Sequence, residues 1–184
     1  MGKQNELTKP EIAKIAAEAG AKAGVEAYLK LMKQAQTERQ DKRLRNTKLL
    51  LRNYRMFKDH CENAVYEIED LDETVYDILD MMAGHDTTTF VESIKQSVAR
   101  TVLIVKHIET MLQLYEAYCF RSGNTEEQRR YRIIQALYIS EDATPVEVLA
   151  SFESINSRTV YKDIDSACEK ISALIFGIDG IKKS

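Results

Sequence analysis

The chain has 184 residues, of which 44% are hydrophobic and 30% charged, with two prolines, seven glycines and a formal net charge of −3. This length suits one domain or two small ones, and the scarcity of proline and glycine leaves little punctuation for strands and turns, so an all-α protein is expected. No apolar run approaches the length of a bilayer span and no signal-peptide core opens the sequence, which argues against membrane contact and predicts a cytoplasmic protein.

Residues 1–37 are expected as a helical arm. Thr8-Lys9-Pro10-Glu11 is a capping box that opens an alanine-rich helix with an apolar side of Ile12, Ile15, Ala16, Ala19 and Ala23. Gly20 and Gly24 weaken that helix. The expected outcome is a loosely docked arm, with a small self-association or partner-binding helix as the alternative.

Residues 38–121 are expected as a long antiparallel helical hairpin. From about Glu38 to Met82 neither proline nor glycine interrupts the chain, and Leu44, Leu51, Tyr54, Cys61, Val65, Ile68, Val75, Leu79 and Met82 keep heptad spacing. A second row of Leu50, Phe57, Ala64, Leu71 and Ile78 recurs every seventh residue, making the stripe wide enough to pack on more than one helix. Gly84, His85 and Asp86 break the helix and Thr87 to Thr89 cap the next. Val91, Ile94, Val98, Val102, Val105, Ile108, Leu112, Tyr115 and Cys119 then mark a returning helix to about Phe120.

Charge is segregated along the outgoing helix: residues 1–60 hold 14 basic and 7 acidic side chains, and residues 61–90 hold none and 9. The basic block is Arg39, Lys42, Arg43, Arg45, Lys48, Arg52, Arg55 and Lys58, which reads equally as a solvated face or a DNA-holding surface. The acidic block is Glu62, Glu67, Glu69, Asp70, Asp72, Glu73, Asp77 and Asp80. On one helix this order opposes the macrodipole, at about 0.3–1 kcal/mol per charge. Antiparallel pairing of two chains, basic block on acidic block, answers those charges, so a homo-oligomer is expected.

Residues 122–184 are expected as a three-helix helix-turn-helix domain. Thr125-Glu126-Glu127-Gln128 is a capping box opening a helix with an inner side of Tyr131, Ile134, Leu137 and Tyr138, and Thr144-Pro145-Val146-Glu147 opens a second, short helix. In the third helix Val160, Ile164, Ala167, Ile171, Leu174 and Ile175 share one arc, while Arg158, Tyr161, Lys162, Asp165 and Glu169 lie opposite. Asn156 or Ser157 can cap it, leaving its first backbone N–H groups near a phosphate. Arginine can grip guanine through two parallel bonds and lysine can meet a phosphate. The expected DNA-binding residues are therefore Asn156, Ser157, Arg158, Thr159, Tyr161 and Lys162, with Arg129, Arg130 and Arg132 as phosphate contacts or a solvated face.

Ser157-Arg158-Thr159-Val160-Tyr161-Lys162-Asp163-Ile164 resembles the recognition helix of sigma-70 region 4-like domains. The tail Leu174-Ile175-Phe176-Gly177-Ile178-Asp179-Gly180 and the segment from Arg43 to Tyr54 are similar to phage- and prophage-encoded sigma-like regulators of the ArpU/RinA type. Two features depart from that pattern: Ser154 stands in the turn where glycine is usual, and Phe152-Glu153 displaces the apolar residue that normally precedes it. The resemblance implies sequence-specific binding of promoter or operator DNA, late-gene activation, and RNA polymerase as a further partner.

Enzyme chemistry finds little footing. His60, His85 and His107 form no helical metal pair, and no phosphate loop or nucleophile elbow is present, so neither catalysis nor a metal or cofactor is expected. Cys61, Cys119 and Cys168 are widely spaced and read as reduced structural thiols. Two other readings stay open. One is a helical protein–protein adaptor whose helix-turn-helix is structural; the other is a divergent sigma factor, against which stands the lack of an aromatic, basic promoter-melting helix.

Overall fold

The computed structural model describes residues 8–62, 74–84 and 98–177. Every regular element among them is helical: α1 (Lys9–Glu62), α2 (Val75–Gly84), α3 (Val98–Arg121), α4 (Thr125–Ile134) with a π-helical extension (Gln135–Ile139), α5 (Val146–Phe152) and α6 (Ser157–Phe176). The chain divides into two units, Met1–Arg39 and Gln40–Ser184.

In the first unit the Thr8 capping box forms as expected, with the Thr8 backbone N–H and hydroxyl both donating to Glu11 Oε2 at 2.8 and 2.7 Å. The helix runs through Gly20 and Gly24, carried by the alanines around them. Its large apolar side chains, Ile12, Ile15, Val25, Tyr28, Leu29, Leu31 and Met32, are 53–64% exposed.

In the second unit both apolar rows of the sequence turn inward. Leu50, Leu51, Tyr54, Phe57 and Cys61 of α1 and Ile78 and Leu79 of α2 are buried, each full burial contributing about 1.5–3 kcal/mol. The helix expected to run unbroken from Glu38 to Met82 is nonetheless interrupted. Thr74 caps α2 through a box within the apolar rows, its N–H and hydroxyl donating to Asp77 Oδ2 at 2.8 and 2.6 Å. Ala64, Val65, Ile68 and Leu71, most of the acidic block, and the expected turn and cap from His85 through Thr89 to Ile94 fall outside the described residues.

Helix α3 packs on α2, α4 and α6, and α6 packs also on α4 and α5. One buried cluster collects residues of all six helices, so segments expected separately as hairpin and DNA-binding domain share a core. Helix α1 is tied in by polar bonds: Tyr54 donates its hydroxyl to Glu109 Oε1 at 2.9 Å, and Arg55 donates from Nε to the Ser140 carbonyl at 2.6 Å and from Nη2 to the Leu137 carbonyl at 3.0 Å. The latter two carbonyls belong to the π-turn and its exit, where helix carbonyls otherwise lack donors.

Two expected caps differ. Helix α4 is capped by Asn124, whose Oδ1 accepts from Glu126 N–H at 2.9 Å, with Gly123 at φ 64° providing the turn before it. The asparagine one residue upstream wins over Thr125 because its side chain reaches the second helical N–H. At α5 no side chain caps. Thr144 N–H instead donates to the Ala136 carbonyl at 3.0 Å, and the Pro145 carbonyl starts the helix. The three cysteines are buried and form no disulfide among the described residues, and burial raises the pKa of each, Cys168 to about 12.

Candidate nucleic-acid interface

Helices α5 and α6 are joined by a turn whose hydrogen bonds define it closely. Ser154 N–H donates to the Ser151 carbonyl at 3.2 Å and Ile155 N–H to the Ala150 carbonyl at 2.9 Å, the pair of bonds of a Schellman motif. That motif puts its central residue in the left-handed region, and Ser154, where glycine was the expected occupant, has φ 54°. It is the only non-glycine residue with positive φ among those described. Ile155 is half-buried against the core just after it, which fixes the angle at which the chain enters α6.

Asn156, rather than Ser157, caps α6: its Oδ1 accepts from Arg158 N–H at 2.8 Å. Val160, Ile164, Ala167, Ile171 and Ile175 are buried, and Leu174 is partly so. The opposite edge carries Arg158, Tyr161, Lys162, Asp165 and Glu169, all exposed, with Tyr161 56% accessible. Ser157 and Thr159 are half-buried at its start. Among the described residues the Arg158 and Lys162 side chains bond to no protein group, and both exposed cations stand on the first two turns.

The three upstream arginines are placed differently. Arg129 Nε lies 2.7 Å from Asp163 Oδ2 and Arg130 Nε 3.1 Å from Asp163 Oδ1. Arg130 also bonds Glu127, and Lys170 Nζ reaches that carboxylate at 2.6 Å. Arg132 grips Glu153, the last residue before the strained turn, through Nε at 2.8 Å and Nη2 at 2.6 Å. This fork holds the Glu153 carboxyl below the usual carboxylate range. These guanidiniums therefore fasten α4 to α6 and to the turn; Arg129 and Arg130 are mostly buried, whereas the Arg132 side chain remains 51% exposed.

The sequence reading missed Asp163. It lies three residues after Val160 and four before Ala167, within the buried arc, and its side chain is 4% exposed. A carboxylate on that arc demands cations, and the adjacent Arg129 and Arg130 were the available signal. It also missed the partner of Lys48, a member of the basic block, whose Nζ sits 2.6 Å from Asp165 Oδ1 on the exposed edge of α6.

Among the described residues no group of His, Cys, Asp and Glu side chains is arranged to hold a metal ion. No helix among them is long and apolar enough to cross a membrane. Comparison of the chain with protein-family models, with curated proteins and with solved structures gives no match.

Proposed function

We propose that this protein is a sequence-specific, duplex-DNA-binding regulator of transcription that catalyses no reaction and acts in the cytoplasm. One observation carries the reading. Arg158 and Lys162 stand exposed and, among the described residues, unpaired on the first two turns of a helix presented by a short helix and a tight turn, while Arg129 and Arg130 are held by the buried Asp163 carboxylate. The first turns of a recognition helix are the part that enters the major groove. In this reading Arg158 contacts a base, Lys162 a phosphate, and Tyr161 and Thr159 a phosphate or a thymine methyl, with Asn156 and Ser157 at the capped end beside the backbone. The sigma region 4-like resemblance adds a phage or prophage setting, late-gene promoters and RNA polymerase as an adjoining partner. Residues 126–184 hold 8 basic and 10 acidic side chains, so binding by one copy is weak and a homo-oligomer or the polymerase supplies the remaining affinity.

The test is recovery of genomic DNA bound to the tagged protein, compared with Arg158→Ala/Lys162→Ala. A single enriched motif that the variant loses is the expected result; Arg158→Ala alone relaxes preference and costs about 1–3 kcal/mol on the preferred site. A second reading has an observation of its own. Phe152 is 81% and Val148 41% exposed, and with Glu147 and Ser151 they line a shallow groove on α5, the kind of aromatic anchor that protein interfaces use. Absence of any enriched DNA with the folded protein makes it an adaptor.

A further inference from the structure

The basic block of α1 is brought beside the exposed edge of α6. Arg45, Lys48 and Arg52 recur at i, i+3 and i+7 and so share one face of α1, where they line a shallow groove with Asp41, Leu44 and Leu49. Lys48 fixes the position of that face through its 2.6 Å bond to Asp165, one turn beyond Tyr161 and Lys162. Arg45 is exposed and bonds to no group among the described residues, and Arg52 is exposed beside the Tyr138 hydroxyl.

The Lys48 bond also changes the electrostatics of α6. Asp165, 60% exposed, would by itself repel a phosphate approaching the edge that holds Arg158 and Lys162, and the ammonium group neutralises it. Two unpaired or exposed guanidiniums then flank the neutralised pair. A duplex is a line of closely spaced negative charges, so a helix groove reader gains register from cations placed to its side.

We propose that the Arg45–Lys48–Arg52 face of α1 is a second, sequence-independent contact to the phosphate backbone of the duplex that α6 reads. This rests on the reading of α6 as a DNA-recognition helix. Affinity then has two sources, base contacts on α6 and backbone contacts on α1, and the second should be visible in salt dependence alone.

The experiment titrates the full chain, Arg45→Ala, Arg45→Ala/Arg52→Ala and Arg45→Lys/Arg52→Lys against a labelled duplex carrying the enriched motif and against a scrambled duplex, over a range of salt. Each lost phosphate contact flattens the slope of log K against log salt by about 0.9. The double alanine variant is expected to flatten it by about 1.8, Arg45→Ala by about half of that, and the lysine variant hardly at all, with the preference for the motif unchanged. Arg45→Ala removes an exposed, unbonded side chain, so it separates lost contact from lost fold. An unchanged slope in variants that bind overturns the proposal while leaving α6 in place. Loss of preference overturns it in favour of base reading by α1. An unchanged slope with a fall in mass by light scattering assigns the face to a second copy. Wild-type protein with no affinity for either duplex overturns both readings at once.

Discussion

Asp163 shows how one buried carboxylate can organise an otherwise exposed site. Its side chain is 4% exposed and holds Arg129 and Arg130 on α4 against the middle of α6, so two guanidiniums answer one buried carboxylate. Asp163→Ala leaves two mostly buried cations facing an empty position, and we expect a loss of about 3–5 kcal/mol, read as a lower urea midpoint at unchanged m. Arg158→Ala should shift the same midpoint by no more than about 0.5 kcal/mol, since its side chain is exposed and unbonded. The contrast separates groups that build the proposed interface from groups that would use it. At this scale the sequence was legible where a residue's role follows from its own face, as for Val160, Ile164 or Tyr161. It was not legible where the role depends on a distant partner: periodicity cannot distinguish an arginine that meets solvent from one that meets Asp163 across 34 positions.

The turn between α5 and α6 makes a separate prediction. Ser154 at φ 54° occupies a conformation that costs a side-chain-bearing residue about 1–2 kcal/mol, whereas glycine adopts it freely. Glycine also gives the unfolded chain more freedom, worth about 0.4–1 kcal/mol. Ser154→Gly should therefore stabilise the protein by up to about 1 kcal/mol, and Ser154→Val should destabilise it, both measured by thermal melting with the Schellman bonds of Ile155 and Ser154 otherwise retained. Helices were the most legible elements because period and caps reinforce one another. Their ends were less so. A threonine box at Thr74 lay hidden in the heptad rows, the cap at Asn124 competed with one at Thr125, and the π-turn at Gln135–Ile139 changed the helical phase after Ile134, where the expected inner residues Leu137 and Tyr138 are only half-buried.

In the molecule as a whole, the segment expected as a helix-turn-helix shares its core with the helices before it. Ile104, Ile108, Leu112 and Tyr115 of α3 and Leu50, Leu51 and Phe57 of α1 belong to the cluster that contains Val160, Ala167 and Ile171. A fragment of residues 122–184 is thus expected to melt without a cooperative transition, while residues 40–184 keep the transition of the full chain to within a few degrees, as circular dichroism would record. Fold class was legible from composition and period. The common core was not, because helical stripes state that a face is buried without naming what buries it. The bond from Lys48 to Asp165 joins residues 117 positions apart. During synthesis at about 5–20 residues per second, the apolar face of α1 therefore waits on the order of 6–25 s for its last partner to be made. Until that interval ends Leu50, Leu51, Tyr54 and Phe57 lack part of their native cover, which makes the nascent first helix a natural client for a chaperone and makes slow stretches of translation between α1 and α6 a hazard to the yield of folded protein.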